Sequence, residues 1–291
     1  MTMTRAEALA KGRRALAASP SASLDASLIL AFLLGQSRES LLLFPGEPLP
    51  EGLFESYEAA LAARASGKPV AYITGEKEFY GRRFVVSEAV LIPRPDTELL
   101  VEKALELGDA IEARRRVEAA APIRVHECCV GSGAVAISVA SERPAWIVTA
   151  SDLSAEALVV ASRNASRLLP EDRPGGSLRL SRSDLLEEAG ESFDLILANP
   201  PYVETALAAE LSATWGEPLL ALDGGPDGLE LLRRLVPLAA ARLAPGGFLL
   251  VEADGGQAEA LRSLFSASGL SGAHSARDLA EIERVTIGEL T

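Results

Sequence analysis

From residue 123 onward, strand-like apolar runs alternate with helical stretches, and this alternation restricts the fold more than any other feature of the chain. The candidate strands are Ile123–Cys128, Ile147–Asp152, Leu178–Arg182, Asp194–Ala198 and Phe248–Glu252, with helical stretches at about 132–141, 154–168 and 227–243. Regular strand–helix alternation predicts an α/β domain built on a doubly wound parallel sheet. The last stretch, about 272–290 with Arg284-Val285-Thr286-Ile287-Gly288, fits an antiparallel hairpin at the sheet edge. Before the first strand, Ala110 to Ala121 reads as a charged helical extension, with Arg114, Arg115 and Arg116 on a solvated face.

Open α/β sheets bind ligands outside the carboxyl ends of their strands. Three such ends carry suggestive residues here. The first strand runs into Glu127-Cys128-Cys129-Val130-Gly131-Ser132-Gly133, where glycines allow close backbone approach to a ligand and a helix N-terminus follows. The dinucleotide fingerprint needs a third Gly three residues later, and Ala136 stands there. The second strand ends in Asp152, a carboxylate that can accept two ribose hydroxyls. Together these predict a nucleoside cofactor without a pyrophosphate, which S-adenosylmethionine satisfies and NAD does not. Glu127 either meets the amino-acid end of that cofactor or caps the turn. After the third strand, Leu185 offers a face for adenine and Asp184 a partner for its amine; alternatively Asp184 caps a helix starting at Leu185.

The fourth strand ends in Asn199-Pro200-Pro201-Tyr202. A Pro pair cannot continue a central strand, so the chain leaves the sheet at Asn199. A carboxamide, a rigid backbone carbonyl and an aromatic ring in fixed relation suit a planar –C(=O)NH2 or –NH2 group. An ordinary Asn-Pro turn is the alternative.

Upstream, residues 1 to about 65 show helical spacing. Leu9, Leu16, Leu24, Leu28, Phe32, Leu41, Leu53, Tyr57 and Leu61 are expected to pack as the core of a small all-α bundle. Val70-Ala71-Tyr72-Ile73 and Glu78-Phe79-Tyr80, followed by Gly81 and Phe84-Val85-Val86, suggest a β-hairpin linker. Leu91-Ile92-Pro93-Arg94-Pro95-Asp96-Thr97-Glu98 then opens a helix, with Arg94 and Glu98 either capping it or meeting substrate.

Over nearly its whole length the chain resembles the protein-(glutamine) methyltransferases that modify peptide chain release factors. The likeness is carried by "LIPRPDTE" at 91–98, the Gly131-Ser132-Gly133 turn, Asp152, "NPPY" at 199–202 and the closing "ERVTIG". "NPPY" is shared with adenine-amine nucleic-acid methyltransferases, whereas "LIPRPDTE" discriminates between them. The resemblance implies a seven-stranded Rossmann-like class I methyltransferase sheet over 95–291. It also implies a substrate-recognition bundle over 1–67, a hairpin linker over 68–94, and methylation of the Gln in a Gly-Gly-Gln tripeptide. Glu127, Cys129, Val130, Gly131, Ser132, Gly133, Asp152, Asp184, Leu185 and Asn199 are then expected to bind S-adenosylmethionine. Asn199, Pro200, Pro201 and Tyr202 are expected to bind the substrate amide, with Asn199, Pro200 and Tyr202 catalytic. The family turn reads Asp-Leu-Gly-Thr-Gly-Ser-Gly; Glu127, Cys129 and Val130 depart from it, and Cys129 fits only if its φ is negative. Leu185 replaces a frequent aromatic. Gly255-Gly256-Gln257 repeats the substrate tripeptide by coincidence, following the fifth strand and opening a helix.

The charge balance is 28 − 41 = −13, which disfavours a non-specific grip on nucleic-acid backbones, so no direct nucleic-acid contact is expected. The two cysteines, Cys128 and Cys129, are adjacent and suit a reducing compartment. No signal-peptide layout or membrane span is apparent, no metal site is expected, and a cytoplasmic setting follows. The alternatives are an adenine-amine nucleic-acid methyltransferase and a non-catalytic cofactor-binding module.

Overall fold

Apolar content alone does not decide which side of the first helices faces inward. A computed structural model describes residues 3–115, 121–187 and 192–291. The chain divides into two compact units, Met1–Glu76 with Ala213–Gly216 and Lys77–Ser212 with Glu217–Thr291. The first holds α1 (Arg5–Ala15), α2 (Ala22–Leu34), α3 (Arg38–Leu43), α4 (Leu53–Ala65) and α5 (Val70–Thr74). Its core gathers Leu16, Ile29, Leu30, Leu41, Tyr57 and Leu61. The Tyr57 hydroxyl donates to the Ala26 carbonyl at 3.0 Å, so this buried phenol is satisfied. Leu24, Leu28 and Phe32, expected in that core, are instead 42%, 37% and 46% exposed. The α2 sequence ASLDASLILAFLL is apolar on nearly every face, so helical spacing could not select the buried stripe.

Val70–Ile73, expected as a strand of the linker hairpin, is helical. Pro69 precedes α5 and Gly75 follows it in the left-handed region, and this punctuation outweighs the β-branched content. The hairpin itself is β1 (Glu76–Phe79) and β2 (Arg82–Val85). Its two-residue turn has φ 49° at Tyr80 and 70° at Gly81, the left-handed pair that matches strand twist in tight hairpins. Glu98 accepts a hydrogen bond from the Tyr80 amide at 2.8 Å, so this carboxylate secures the hairpin turn.

The second unit continues with α6 (Glu98–Arg115), β3 (Arg124–Cys128), α7 (Ala134–Glu142), β4 (Ile147–Asp152), α8 (Ala155–Leu168), β5 (Arg179–Arg182) and β6 (Phe193–Ala198). Then follow α9 (Thr205–Trp215), α10 (Glu230–Ala240), β7 (Leu243–Glu252), α11 (Ala258–Ala267), β8 (Leu270–Arg277) and β9 (Glu283–Leu290). The strands form one seven-stranded sheet in the order β5-β4-β3-β6-β7-β9-β8. Strands β3 to β7 pair in parallel, and β9 runs antiparallel to both β7 and β8. Every residue of β6 is buried, as expected for a strand covered on both faces. The one charged residue there, Asp194, pairs with Arg115 and accepts the Arg124 amide at 2.8 Å. Arg115 therefore does not lie on a solvated face, while Arg114 is over half exposed beside Glu289 and Arg116 falls outside the described residues.

Chain order reverses around β3, which has β4 on one side and β6 on the other. That switch point is where a doubly wound sheet opens a crevice. The register pairs Cys128 with Ala198, so the turn after β3 and the "NPPY" segment after β6 leave the sheet side by side.

Asn164 of α8 ties this region together from a fully buried position. Its Oδ1 accepts the Val85 amide at 2.7 Å, and its Nδ2 donates to the Val85 and Ser132 carbonyls, each at 2.9 Å. Asn164→Ala strands three buried backbone groups, each costing roughly 1–3 kcal/mol. A loss of about 3–5 kcal/mol in urea unfolding is the expected outcome. A loss below about 1 kcal/mol would contradict this role.

Candidate active site

The turn between β3 and α7 is built by alternating backbone hands. Cys129, Gly131 and Gly133 have φ of 58°, 52° and 82°. The Gly131 amide donates to Asp152 Oδ2 at 2.9 Å, and the Ser154 amide donates to Asp152 Oδ1 at 2.9 Å. One carboxylate at the end of β4 thus holds the neighbouring turn. Gly133 sits at φ 82°, a left-handed position that favours glycine, and a Cβ there would also press on Ile137 Cδ1 at 2.7 Å.

Cys129 does not meet the condition under which the sequence accommodates it, because its φ is positive. A side chain in the left-handed region costs roughly 1–2 kcal/mol, partly offset by the lower freedom of the unfolded chain relative to Gly. Cys129→Gly is therefore expected to raise stability by about 0.5–1 kcal/mol. A urea unfolding curve checks this, and a lower midpoint would refute it.

Three carboxylates stand around the turn. Glu127 is 2% exposed, and its Oε2 accepts the Ala136 amide at 2.7 Å, so it does cap the first turn of α7. Burial pushes its pKa well above the usual carboxylate range, opposed by that amide and reinforced by the charge of Asp152. Burial likewise raises the pKa of Asp152, against the hydrogen bonds from Gly131 and Ser154. Among the described residues, no cation pairs with Glu127 or Asp152. Asp184 pairs with Arg234 at 2.6 Å. It caps no helix, because Leu185 has φ 56° and the segment forms a turn. Leu185 is buried, and its carbonyl accepts the Ser151 hydroxyl at 2.9 Å.

At the end of β6, Asn199 Nδ2 donates to Thr97 Oγ1 at 3.2 Å, and Thr97 Oγ1 donates to Glu252 Oε1 at 3.0 Å. Asn199 Oδ1 and the Pro200 carbonyl have no hydrogen-bond partner among the described residues. Burial raises the pKa of Glu252 to about 7, opposed by the hydrogen bond from Thr97. The Tyr202 phenol is pushed up to about 12 by burial and by the Glu252 charge. Gln257 Nε2 donates to the Tyr202 carbonyl at 2.9 Å and to the Gly228 carbonyl at 3.2 Å. The Gly-Gly-Gln triplet therefore has a structural use: it opens α11 and clips the "NPPY" backbone.

A cavity of about 310 Å³ joins these features. Of the residues singled out in the sequence, Glu127, Cys129, Val130, Gly131, Ser132, Asp152, Asp184, Leu185, Asn199 and Pro201 line it. Gly133, Pro200 and Tyr202 are not among its lining residues. Sequence reasoning missed Thr97 as a wall residue and Glu217 and Glu252 as buried carboxylates behind it. Glu217 pairs with Arg94 at 2.5 Å and accepts the Ile92 amide at 3.0 Å, holding the "LIPRPDTE" segment against the cavity. The only sequence signal for Glu252 is an acidic residue closing the apolar run of β7.

The donor set fits a nucleoside that carries positive charge. Buried Glu127 and half-buried Asp152 have raised pKa values and, among the described residues, no cationic partner; an ammonium or sulfonium group would favour their ionised forms, whereas a pyrophosphate would oppose them. Asp152 keeps acceptor capacity for hydroxyls, since a carboxylate offers about four lone-pair sites. The apolar wall at Leu185 and Val130 suits an aromatic base.

Residues 7–75 match the family described as PrmC N-terminal domain, and residues 116–216 match the methyltransferase small domain family. The chain is 43% identical to the release factor glutamine methyltransferase of Burkholderia pseudomallei (strain K96243), over 94% of both proteins. It is 39% identical to the protein of the same name from Pseudomonas aeruginosa, over 93% of this chain and 94% of that one. A solved structure of the hMettl16 catalytic domain in complex with MAT2A 3'UTR hairpin 6 shares the fold, with TM-score 0.57 and 12% identity over 79% of this chain and 81% of that one. Identity of this extent across both units shows that the chain belongs to the release factor glutamine methyltransferase family.

Proposed function

We propose that this enzyme transfers a methyl group from S-adenosylmethionine to the side-chain nitrogen of the Gln in the Gly-Gly-Gln tripeptide of a peptide chain release factor. The observation that carries the site assignment is the pair of unpartnered acceptors, Asn199 Oδ1 and the Pro200 carbonyl, at the carboxyl end of β6 beside the carboxylate-lined cavity. A primary amide has two N–H donors, and this pair matches them.

S-adenosylmethionine, when bound, supplies an electrophilic methyl group on a sulfonium centre. Asp152 would hold its ribose hydroxyls, Glu127 would face its cationic end, and Leu185 would cover its base. An amide nitrogen is a poor nucleophile because its lone pair is delocalised into the carbonyl. Asn199 and Pro200 therefore act by position: they accept the two N–H hydrogens and localise lone-pair density on the opposite side of the nitrogen. Orientation of this kind supplies roughly 7–11 kcal/mol in favourable cases. The same two carbonyl dipoles stabilise positive charge as it grows on nitrogen. Tyr202, which is not among the cavity's lining residues, would pack against the amide plane from beside the cavity, and its high phenol pKa keeps it neutral there. Pro201 keeps the segment rigid. The proton displaced by the new N–C bond leaves to water.

The bundle of α1–α5 serves in this reading as the part that recognises the release factor, and the hairpin β1–β2 as the linker. The soluble translation machinery places the reaction in the cytoplasm, and no helix among the described residues is long and apolar enough to cross a membrane. Tritium transfer from labelled S-adenosylmethionine tests the substrate class. Label is expected in an unmodified release factor and not in an oligonucleotide carrying adenine. Label in the oligonucleotide alone would refute the reading.

A further inference from the structure

Two buried side chains, Thr97 and Glu252, stand in line behind the half-buried Asn199. Asn199 Nδ2 donates to Thr97 Oγ1 at 3.2 Å, and the Thr97 hydroxyl donates to Glu252 Oε1 at 3.0 Å. Thr97 is 5% exposed and Glu252 is 2% exposed. The three come from separate elements: the turn opening α6, the end of β6 and the end of β7. Glu252 Oε2 is buried with no hydrogen-bond partner among the described residues. A carboxylate kept in that state works against stability, and such a group calls for a functional reason.

The direction of the line follows from the chemistry of its last member. Burial holds the Glu252 pKa at about 7, and above that pH its ionised carboxylate only accepts hydrogen bonds. Thr97 must therefore spend its one O–H on Glu252 and has only lone pairs left for Asn199. A carboxamide has one donor end and one acceptor end, so Thr97 takes the donor end. Asn199 is left with its oxygen free: among the described residues Oδ1 has no hydrogen-bond partner. Replace Glu252 with a neutral amide and Thr97 can turn either way. Asn199 can then present –NH2 toward the substrate, and two amide donors would face each other.

We infer that Thr97 and Glu252 are positioning residues that fix Asn199 with its side-chain oxygen toward the substrate amide, and so make the site accept a glutamine –NH2. The inference rests on the reading that Asn199 holds that amide. Both act through Asn199, Thr97 from the cavity wall and Glu252 from behind it.

Four variants of the full chain test it, each assayed for methylation of an unmodified release factor, S-adenosylmethionine affinity and melting temperature. Thr97→Ser keeps the hydroxyl and is expected to retain kcat within about threefold. Thr97→Val has the same shape without the hydroxyl, and Glu252→Gln removes the obligate acceptor. Each is expected to lose about 10–100-fold in kcat while cofactor affinity stays within about threefold. Thr97→Val with kcat near wild type would overturn the inference. So would Thr97→Ser as impaired as Thr97→Val, or losses that merely follow cofactor affinity or melting temperature. Should Thr97→Val fail to fold, the near-isosteric Glu252→Gln decides by the same readings. Asn199→Ala separates the two levels. Its retained turnover would refute the Asn199 reading itself, whereas an inactive Asn199→Ala beside an active Thr97→Val would overturn only the positioning line.

Discussion

Asn199→Ala is expected to lower kcat by about 10²–10³-fold, the range seen when one oriented hydrogen-bonding group is removed from a site of developing charge. The side chain sits at the exit of β6, where Ala198 is the last residue of a fully buried strand. Its backbone position is therefore set by the sheet and not by the amide. Truncation removes the acceptor while the Pro200 carbonyl, the cavity and the carboxylates around the turn remain. S-adenosylmethionine affinity should change by less than about tenfold, since only one contact is lost. Calorimetric titration and a single-turnover methylation assay read the two quantities separately. Retained turnover would remove Asn199 from the mechanism. Asn199→Asp should also be poor, because an added charge beside Glu252 alters the field around the substrate amide.

Asp152→Ala should do the opposite and act on binding. The carboxylate accepts the Gly131 and Ser154 amides, and by the proposed role it also accepts two ribose hydroxyls. Hydrogen bonds to charged groups contribute about 1.5–3 kcal/mol each. Loss of two ligand bonds therefore weakens S-adenosylmethionine binding at least about 100-fold. The freed Gly131 amide also loosens the turn, so the cradle is less ordered before the ligand arrives. Asp152→Asn keeps one acceptor oxygen and should fall between the two. Isothermal titration checks the order wild type, Asn, Ala. Affinity within about threefold of wild type in Asp152→Ala would show that the carboxylate serves only the turn.

Both residues were legible in the sequence because each ends an apolar strand run, where polarity changes abruptly. Asp152 closes Ile147–Asp152, and Asn199 follows Phe193–Ala198 directly. The parallel sheet was legible for the same reason. Glu252 also closes a strand, yet its partner Thr97 lies 155 positions away, and no local spacing reports that contact. Glu217 reaches back 125 positions to the Ile92 amide and was hidden likewise. The hand of the backbone at Cys129 could not be read, because a thiol departs from the usual Gly without announcing φ. For α5 and α2 the signals competed. Val70–Ile73 has strand-like composition inside a Pro–Gly bracket, and Leu24, Leu28 and Phe32 share helical spacing with residues that do reach the core.

The proposed function makes one chemical claim: an amide nitrogen is held by two acceptors beside a sulfonium donor. The local departures at Glu127, Cys129 and Val130 sit on the donor side of that arrangement, and the acceptor side at Asn199–Tyr202 is intact. The most direct measurement is mass spectrometry of the tryptic peptide spanning Gly-Gly-Gln from a release factor incubated with this enzyme and S-adenosylmethionine. One added methyl group on the Gln side chain is the expected result. An unmodified Gln, or a methyl group on any other residue, from enzyme shown to bind S-adenosylmethionine would contradict the account.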